Sequence, residues 1–139
     1  MPVFTQHENV KTRGYCDVQD ITPLAEALLL KSGFADGIAC LFVPGSTASI
    51  TAIEFESGAV RDLKETIQRL MPESIPYEHD KRWKDGNGFS HVRAALMKPG
   101  LSVPFQNGRF LLGTWQQVIL IDFDNKPRTR EIIFQFVGE

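Results

Sequence analysis

The clearest helical period in the chain runs over Ser57–Leu70. There Val60, Leu63, Ile67 and Leu70 form one apolar stripe, while Arg61, Lys64, Glu65 and Gln68 lie on the other faces. Ser57 or Gly58 begins that helix and Pro72 ends it. A second helix is expected from Ile21-Thr22-Pro23. Thr22 can cap it, and Pro23 suits the first helical position, where a missing N–H costs nothing. Leu24, Ala27 and Leu28 keep helical spacing until Gly33. Ser90 can cap a third, short helix that reaches Lys98 and ends at Pro99-Gly100.

Period-two patterns fill most of the remainder. Ile132, Phe134 and Phe136 face one way, and Glu131, Ile133 and Gln135 the other. Val118, Leu120 and Asp122 alternate with Ile119, Ile121 and Phe123, so both faces of that strand are expected to be covered. Ile38–Val43 is continuously apolar between Gly37 and Pro44 and predicts a fully buried central strand. Ile50–Phe55, Leu101–Phe105 and Phe110–Leu112 also read as strands, with Asn107-Gly108 as a hairpin turn. Asp124-Asn125-Lys126-Pro127 is a second turn. Val3–Val10 and Thr12–Val18 read as a hairpin.

One stretch has neither period. From Tyr77 to His91 the chain carries His79, Asp80, Asp85, Asn87 and His91 with two glycines and three basic residues, and it reads as a long loop. Long structureless loops in compact domains are uncommon and often functional. Imidazoles and carboxylates in one loop suit a divalent ion, zinc or magnesium, or an acid–base pair. The plainer alternative is that both histidines bond backbone groups and pin the loop. If His91 stands at the first turn of a helix, the positive helix end favours its neutral form.

Three further features bear on chemistry. Pro44 to Ser49 is a small, polar turn directly off a buried strand, where Ser46 and Thr47 could seat an anion or simply make a turn. Glu54, between Ile53 and Phe55, either faces solvent or points into a site. Arg128 and Arg130 form a fork suited to phosphate or carboxylate, or a solvated arm. Trp115 is expected in the core and Gln116 at a strand start.

Composition narrows the classes. A chain of 139 residues fits one domain, 1–139, and its 42% apolar share allows a sizeable core. The net charge of −2 gives no electrostatic footprint for nucleic acid. Two cysteines without C-x-x-C spacing are expected as free thiols. No apolar run approaches the ~18 residues that would span a membrane, and no signal peptide is visible, so a cytoplasmic location is expected. From the residues alone, the chain is an α+β domain with one histidine-rich polar site and a turn that could seat an anion.

Several segments together resemble a known family. They are Phe42-Val43-Pro44-Gly45-Ser46-Thr47-Ala48 with Glu54, Asp85-Gly86-Asn87-Gly88-Phe89-Ser90-His91, Val103 to Arg109, Leu112-Gly113-Thr114-Trp115-Gln116-Gln117, Pro127-Arg128, and the closing Gly138-Glu139. This set is similar to the YjbQ-like family, labelled secondary thiamine-phosphate synthase enzyme. The resemblance implies antiparallel sheets, sandwich-like, flanked by two or three helices, and assembly as a homotrimer with a polar pocket near subunit boundaries. It implies a transferase that joins a pyrimidine diphosphate to a thiazole phosphate, as a secondary activity. By the same resemblance, Glu54, His79, Asp85, Asn87, His91 and Gln116 belong to the polar pocket, and Ser46 and Thr47 to its hydroxyl-bearing turn. His79, His91, Glu54 and Asp85 would supply acid–base groups or metal ligands, with His79 and His91 as the imidazole ligands. Ser46, Thr47, Asn87, Gln116 and Arg128 would hold a small phosphorylated molecule. The family pattern has histidine where this chain has Gly45 and Phe89, so fewer imidazoles are available here. A metal- or phosphate-binding protein without the transferase activity is the alternative.

Overall fold

A computed structural model describes residues 2–139. In chain order the elements are β1 (Val3–Thr12), β2 (Asp17–Asp20), α1 (Thr22–Ser32), β3 (Gly37–Phe42), β4 (Ala48–Ile53) and α2 (Ser57–Leu70). They continue with α3 (Glu78–Trp83), α4 (Gly88–Met97), β5 (Gly100–Gln106), β6 (Arg109–Phe110), β7 (Gln117–Asp122) and β8 (Arg128–Gly138). Two antiparallel sheets result, one in the order β1-β8-β3-β5-β6 and one in the order β2-β7-β4. The α+β antiparallel architecture is as expected, with four helices.

The layers follow from the alternation. Ile132, Phe134 and Phe136 of β8 point inward with Ala39 and Leu41 of β3, meeting Ile50, Val118 and Leu120 of the small sheet and Leu28 and Leu29 of α1. The opposite face of β7, with Ile119, Ile121 and Phe123, packs on Ile67 of α2 and Ala94 of α4. β7 therefore lies between a sheet and a helical layer, and both its faces are buried as its composition predicts. Asn107 and Gly108, with φ 53° and 70°, close the β5–β6 hairpin in the left-handed conformation that this dipeptide tolerates.

The structure departs from expectation in several elements. β1 and β2 are not a hairpin: β1 pairs with β8 over its whole length, while β2 pairs with β7 in the other sheet. The chain crosses between sheets at Gly14, Tyr15 and Cys16, all with positive φ. β3 is central in its sheet but buried on one face only; Ile38, Cys40 and Phe42 face outward. Thr22 does not cap α1. Ile21 occupies the cap position, and the Thr22 hydroxyl takes the backbone N–H of Val118 instead. The buried face of α1 is Ala25, Leu28 and Leu29, and Ala27 is exposed. Leu70 leaves the α2 stripe at 72% exposed, because the helix ends there and only Ile67 is buried. Trp115 is 71% exposed and not in the core. Both cysteines are free. Among the described residues no helix is long and apolar enough to cross a membrane.

Candidate functional site

The stretch from Tyr77 to His91 folds as α3 and the first turn of α4, leaving only residues 84–87 between them. α3 buries no residue. That explains why no apolar period marks it. Asp80 joins the two helices by accepting the backbone N–H of Gly88 at 2.8 Å. Asn87, not Ser90, is the cap residue of α4; Ser90 is buried and donates back to the Asn87 carbonyl at 2.6 Å.

This arrangement brings the two histidines together. The rings of His79 and His91 lie 4.3 Å apart between centroids, tilted by 40°. His79 Nδ1 is 3.4 Å from Asp80 Oδ1 and 3.3 Å from Asp85 Oδ1. The His91 pKa is lowered, first by burial and then by repulsion from His79, while the carboxylates of Asp85, Asp124 and Asp80 pull the other way. The neutral form expected of His91 is thus favoured, with burial as its main cause.

Beneath the histidines lies a buried polar floor. β7 ends in Asp122, and Asp124 follows two residues later; both are fully buried. Arg130 on β8 grips Asp122 with two bonds, Nε to Oδ2 at 2.7 Å and Nη2 to Oδ1 at 2.8 Å. The Thr12 hydroxyl donates to the same Oδ2 at 2.5 Å. Arg130 Nη2 also donates to the Thr47 hydroxyl at 2.6 Å, which in turn donates to Asp124 Oδ2 at 3.2 Å. Arg128 Nε donates to Asp124 Oδ2 at 2.6 Å. Burial alone would raise the Asp124 pKa, but hydrogen bonds from Asn87, the Asn125 backbone and Arg128, with the Arg128 charge, outweigh it and hold the carboxyl below its ordinary value.

These bonds use Nε and Nη2 of Arg130 and Nε of Arg128, so among the described residues the remaining guanidinium nitrogens have no hydrogen-bond partner and stand at the cavity that both residues line. That cavity measures about 390 Å³ and is walled by the histidines, Trp83, Asp85, Asn87 and the Gly45-Ser46-Thr47 turn. Thr47 is buried and both its hydroxyl roles are taken, so it fixes the floor; Ser46 is the exposed hydroxyl of the turn. At Gly45 an added Cβ would stand 3.0 Å from Arg130 Nη1. Glycine there lets the guanidinium reach the cavity wall. Phe89, the other departure from the family pattern, is buried in van der Waals contact with the Arg93 guanidinium, 4.9 Å from its ring centre. Its aromatic ring belongs to the packing under α4 and not to the cavity lining.

Two observations test whether a cation fits. One ligand atom each of His79, Asp80 and Asp85 lies within 4.8 Å of the others, so one ion could touch all three. His91 stands beside this trio and not in it. Asn87 donates through Nδ2 to Asp124 at 3.2 Å, which fixes its amide, and its Oδ1 is buried without a partner among the described residues. A buried orphan acceptor on a cavity wall calls for a donor from a ligand or an ion's water. One nitrogen and two carboxylates suit magnesium, manganese or zinc.

Not every expected residue converges. Glu54 lies past the end of β4, and Gln116 lies just before β7; Ile53 pairs with Gln117 there. Ala48, next to the cavity turn, is at the other end of the same six-residue strand. At ~3.3 Å per residue that separates Glu54 from the cavity by the length of β4. Gln116 Oε1 accepts the Gly113 N–H at 3.1 Å and closes its own turn. Within one chain, neither residue lines the cavity. Conversely, Asp122, Asp124 and Trp83 belong to the site, together with Arg130, the second arginine of the expected fork. The readable signal was carboxylates closing an otherwise buried strand, with two arginines just beyond Pro127. Such carboxylates must be paired.

Comparison with known proteins agrees with this architecture. Residues 6–139 match the family described as UPF0047 protein YjbQ-like. A UPF0047 protein YugU from Bacillus subtilis is 35% identical over 130 residues, covering 93% of this chain and 96% of that protein. A UPF0047 protein from Archaeoglobus fulgidus is 32% identical over 89% of this chain and 94% of its own length. A crystal structure of a YbjQ-like protein of unknown function from Sulfolobus solfataricus superposes with a TM-score of 0.93 at 30% identity, covering 99% of each chain.

Proposed function

The chain belongs to the UPF0047 YjbQ-like family, and from that premise we propose that it is a transferase acting on a small phosphorylated molecule held in the histidine–arginine cavity. The observation that carries this reading is convergence. Guanidinium nitrogens of Arg128 and Arg130 and the paired rings of His79 and His91 open onto one cavity. Guanidinium groups suit phosphate oxygens. A neutral imidazole at His91 can take or give a proton beside them.

The specific reaction is of the thiamine-phosphate-synthase type. A thiazole nitrogen attacks the methylene carbon of a pyrimidine diphosphate; the C–N bond forms, the C–O bond breaks, and diphosphate leaves with the electron pair. No nucleophilic side chain is needed. Arg128, Arg130 and Ser46 would bind the diphosphate and stabilise its growing charge. His79, Asp80 and Asp85 would hold a divalent ion, which when bound supplies further charge neutralisation. We place this activity in the cytoplasm and in a homotrimer. Ile38, Phe42 and Val3, exposed together on the outer face of the large sheet, support self-association.

The test is release of diphosphate from the pyrimidine and thiazole substrates with magnesium present. Turnover that falls at least tenfold in His91→Ala supports the reading. Turnover no greater than that of the variant counts against it. Gly45 favours a second reading, binding without turnover, since the family pattern has an imidazole at this cavity position. Saturable phosphate binding without product under any metal would select it.

A further inference from the structure

α3 is a six-residue helix with no residue in the core. Helices this short do not persist on propensity alone, so the residues it turns inward deserve a reason. His79 and Trp83 are four positions apart and share one face. Both line the cavity, whereas Glu78, Lys81 and Arg82 are exposed. Trp83 is nevertheless 64% exposed. Large aromatics usually bury their surface, yet this indole stands solvated where it lines the cavity. Arg82 lies 5.3 Å from its ring centre, and Lys84, with φ 58°, ends the helix immediately after it. The cavity of about 390 Å³ is in the range of small-molecule sites and larger than a bare phosphate requires.

We propose that Trp83 is a specificity-determining residue, whose indole stacks on a planar ring carried by the phosphorylated ligand while Arg128 and Arg130 hold the phosphate. This rests on the anion-holding role given to those arginines above. Stacking of this kind changes affinity by roughly three- to tenfold. A bare or aliphatic phosphate gains nothing from it. Because the indole is mostly solvated, its removal leaves the core intact.

The experiment is calorimetric titration of the wild type, Trp83→Ala and Trp83→Phe with phenyl phosphate, glycerol phosphate and inorganic phosphate. Phenyl phosphate is expected to bind the wild type roughly three to ten times more tightly than glycerol phosphate. Trp83→Ala abolishes that preference, Trp83→Phe keeps most of it, and inorganic phosphate binds all three proteins alike. Equal binding of the two organic phosphates to the wild type, or a preference that survives Trp83→Ala, overturns the role of Trp83 and leaves the anion seat standing. If none of the three phosphates binds the wild type, the anion seat itself is wrong and the Trp83 proposal goes with it.

Discussion

His79 and His91 stand on different helices, yet their rings are 4.3 Å apart. The closeness of His79 therefore bears on the protonation of His91. Repulsion from His79 is the second cause of the lowered His91 pKa, after burial. In His79→Gln the His91 pKa should move up toward its ordinary value without reaching it, as read from ring proton shifts against pH. An unchanged value would mean the rings do not interact in solution.

The same shift fixes a pH dependence. A histidine whose folded pKa lies below its unfolded value binds fewer protons when folded, so its contribution to stability is complete above the unfolded pKa of ~6.5 and declines as pH falls through the folded value. His91→Gln should flatten this part of the stability curve. Asp124 acts lower. Its folded pKa is depressed, so its contribution is present above ~4 and is lost with further acidification. Denaturant melts from pH 7 down to 3 on His91→Gln and Asp124→Asn would separate these windows.

Arg130 and Asp122 form a buried ion pair beneath the site. Asp122→Ala leaves a guanidinium buried without its partner and should cost about 3–5 kcal/mol. The double variant Asp122→Leu with Arg130→Met should recover part of that stability and still lose anion binding. Thermal melts and phosphate titration together check both halves.

Gly14 sits at φ 77° where the chain crosses between sheets. An added Cβ would stand 2.5 Å from the Lys126 carbonyl oxygen and 2.7 Å from that of Asp124. Gly14→Ala should destabilise by more than about 1 kcal/mol and push the Asp124 turn away from Arg128. A lower Tm with weaker phosphate binding is expected.

Glu54 and Gln116 lie at the far end of the small sheet, so Glu54→Gln and Gln116→Ala should leave phosphate affinity within twofold of the wild type. A tenfold loss would place them in a cavity completed by a second copy of the chain.

Much of the frame was legible from residue order. The alternation in Ile132, Phe134 and Phe136 marked the inner face of β8, and the unbroken apolar run at 118–121 marked a strand covered twice. The Asn107-Gly108 turn was equally plain. The site was legible by composition but not by shape. α3 carries no apolar stripe because it touches no core, so a helix read as loop. The β1–β2 pairing failed because proximity in sequence says nothing about which sheet a strand joins, and the left-handed crossing at Gly14 to Cys16 has no period. Glu54 was assigned to the pocket by family resemblance alone, and within one chain it lies the length of β4 from the cavity. Asp122 and Asp124 were overlooked because paired buried carboxylates resemble strand-end polar residues until the arginines are placed beside them.

The convergence of imidazoles and guanidinium groups on one anion is tested most directly by following the His79 and His91 ring resonances during a diphosphate titration of the wild type and Arg128→Ala. Both rings should shift together with a single Kd in the wild type, and that Kd should rise about tenfold or more in the variant, since a hydrogen bond to a charged group is worth about 1.5–3 kcal/mol. Rings that stay still as diphosphate is added, or a Kd that Arg128→Ala does not change, would contradict it.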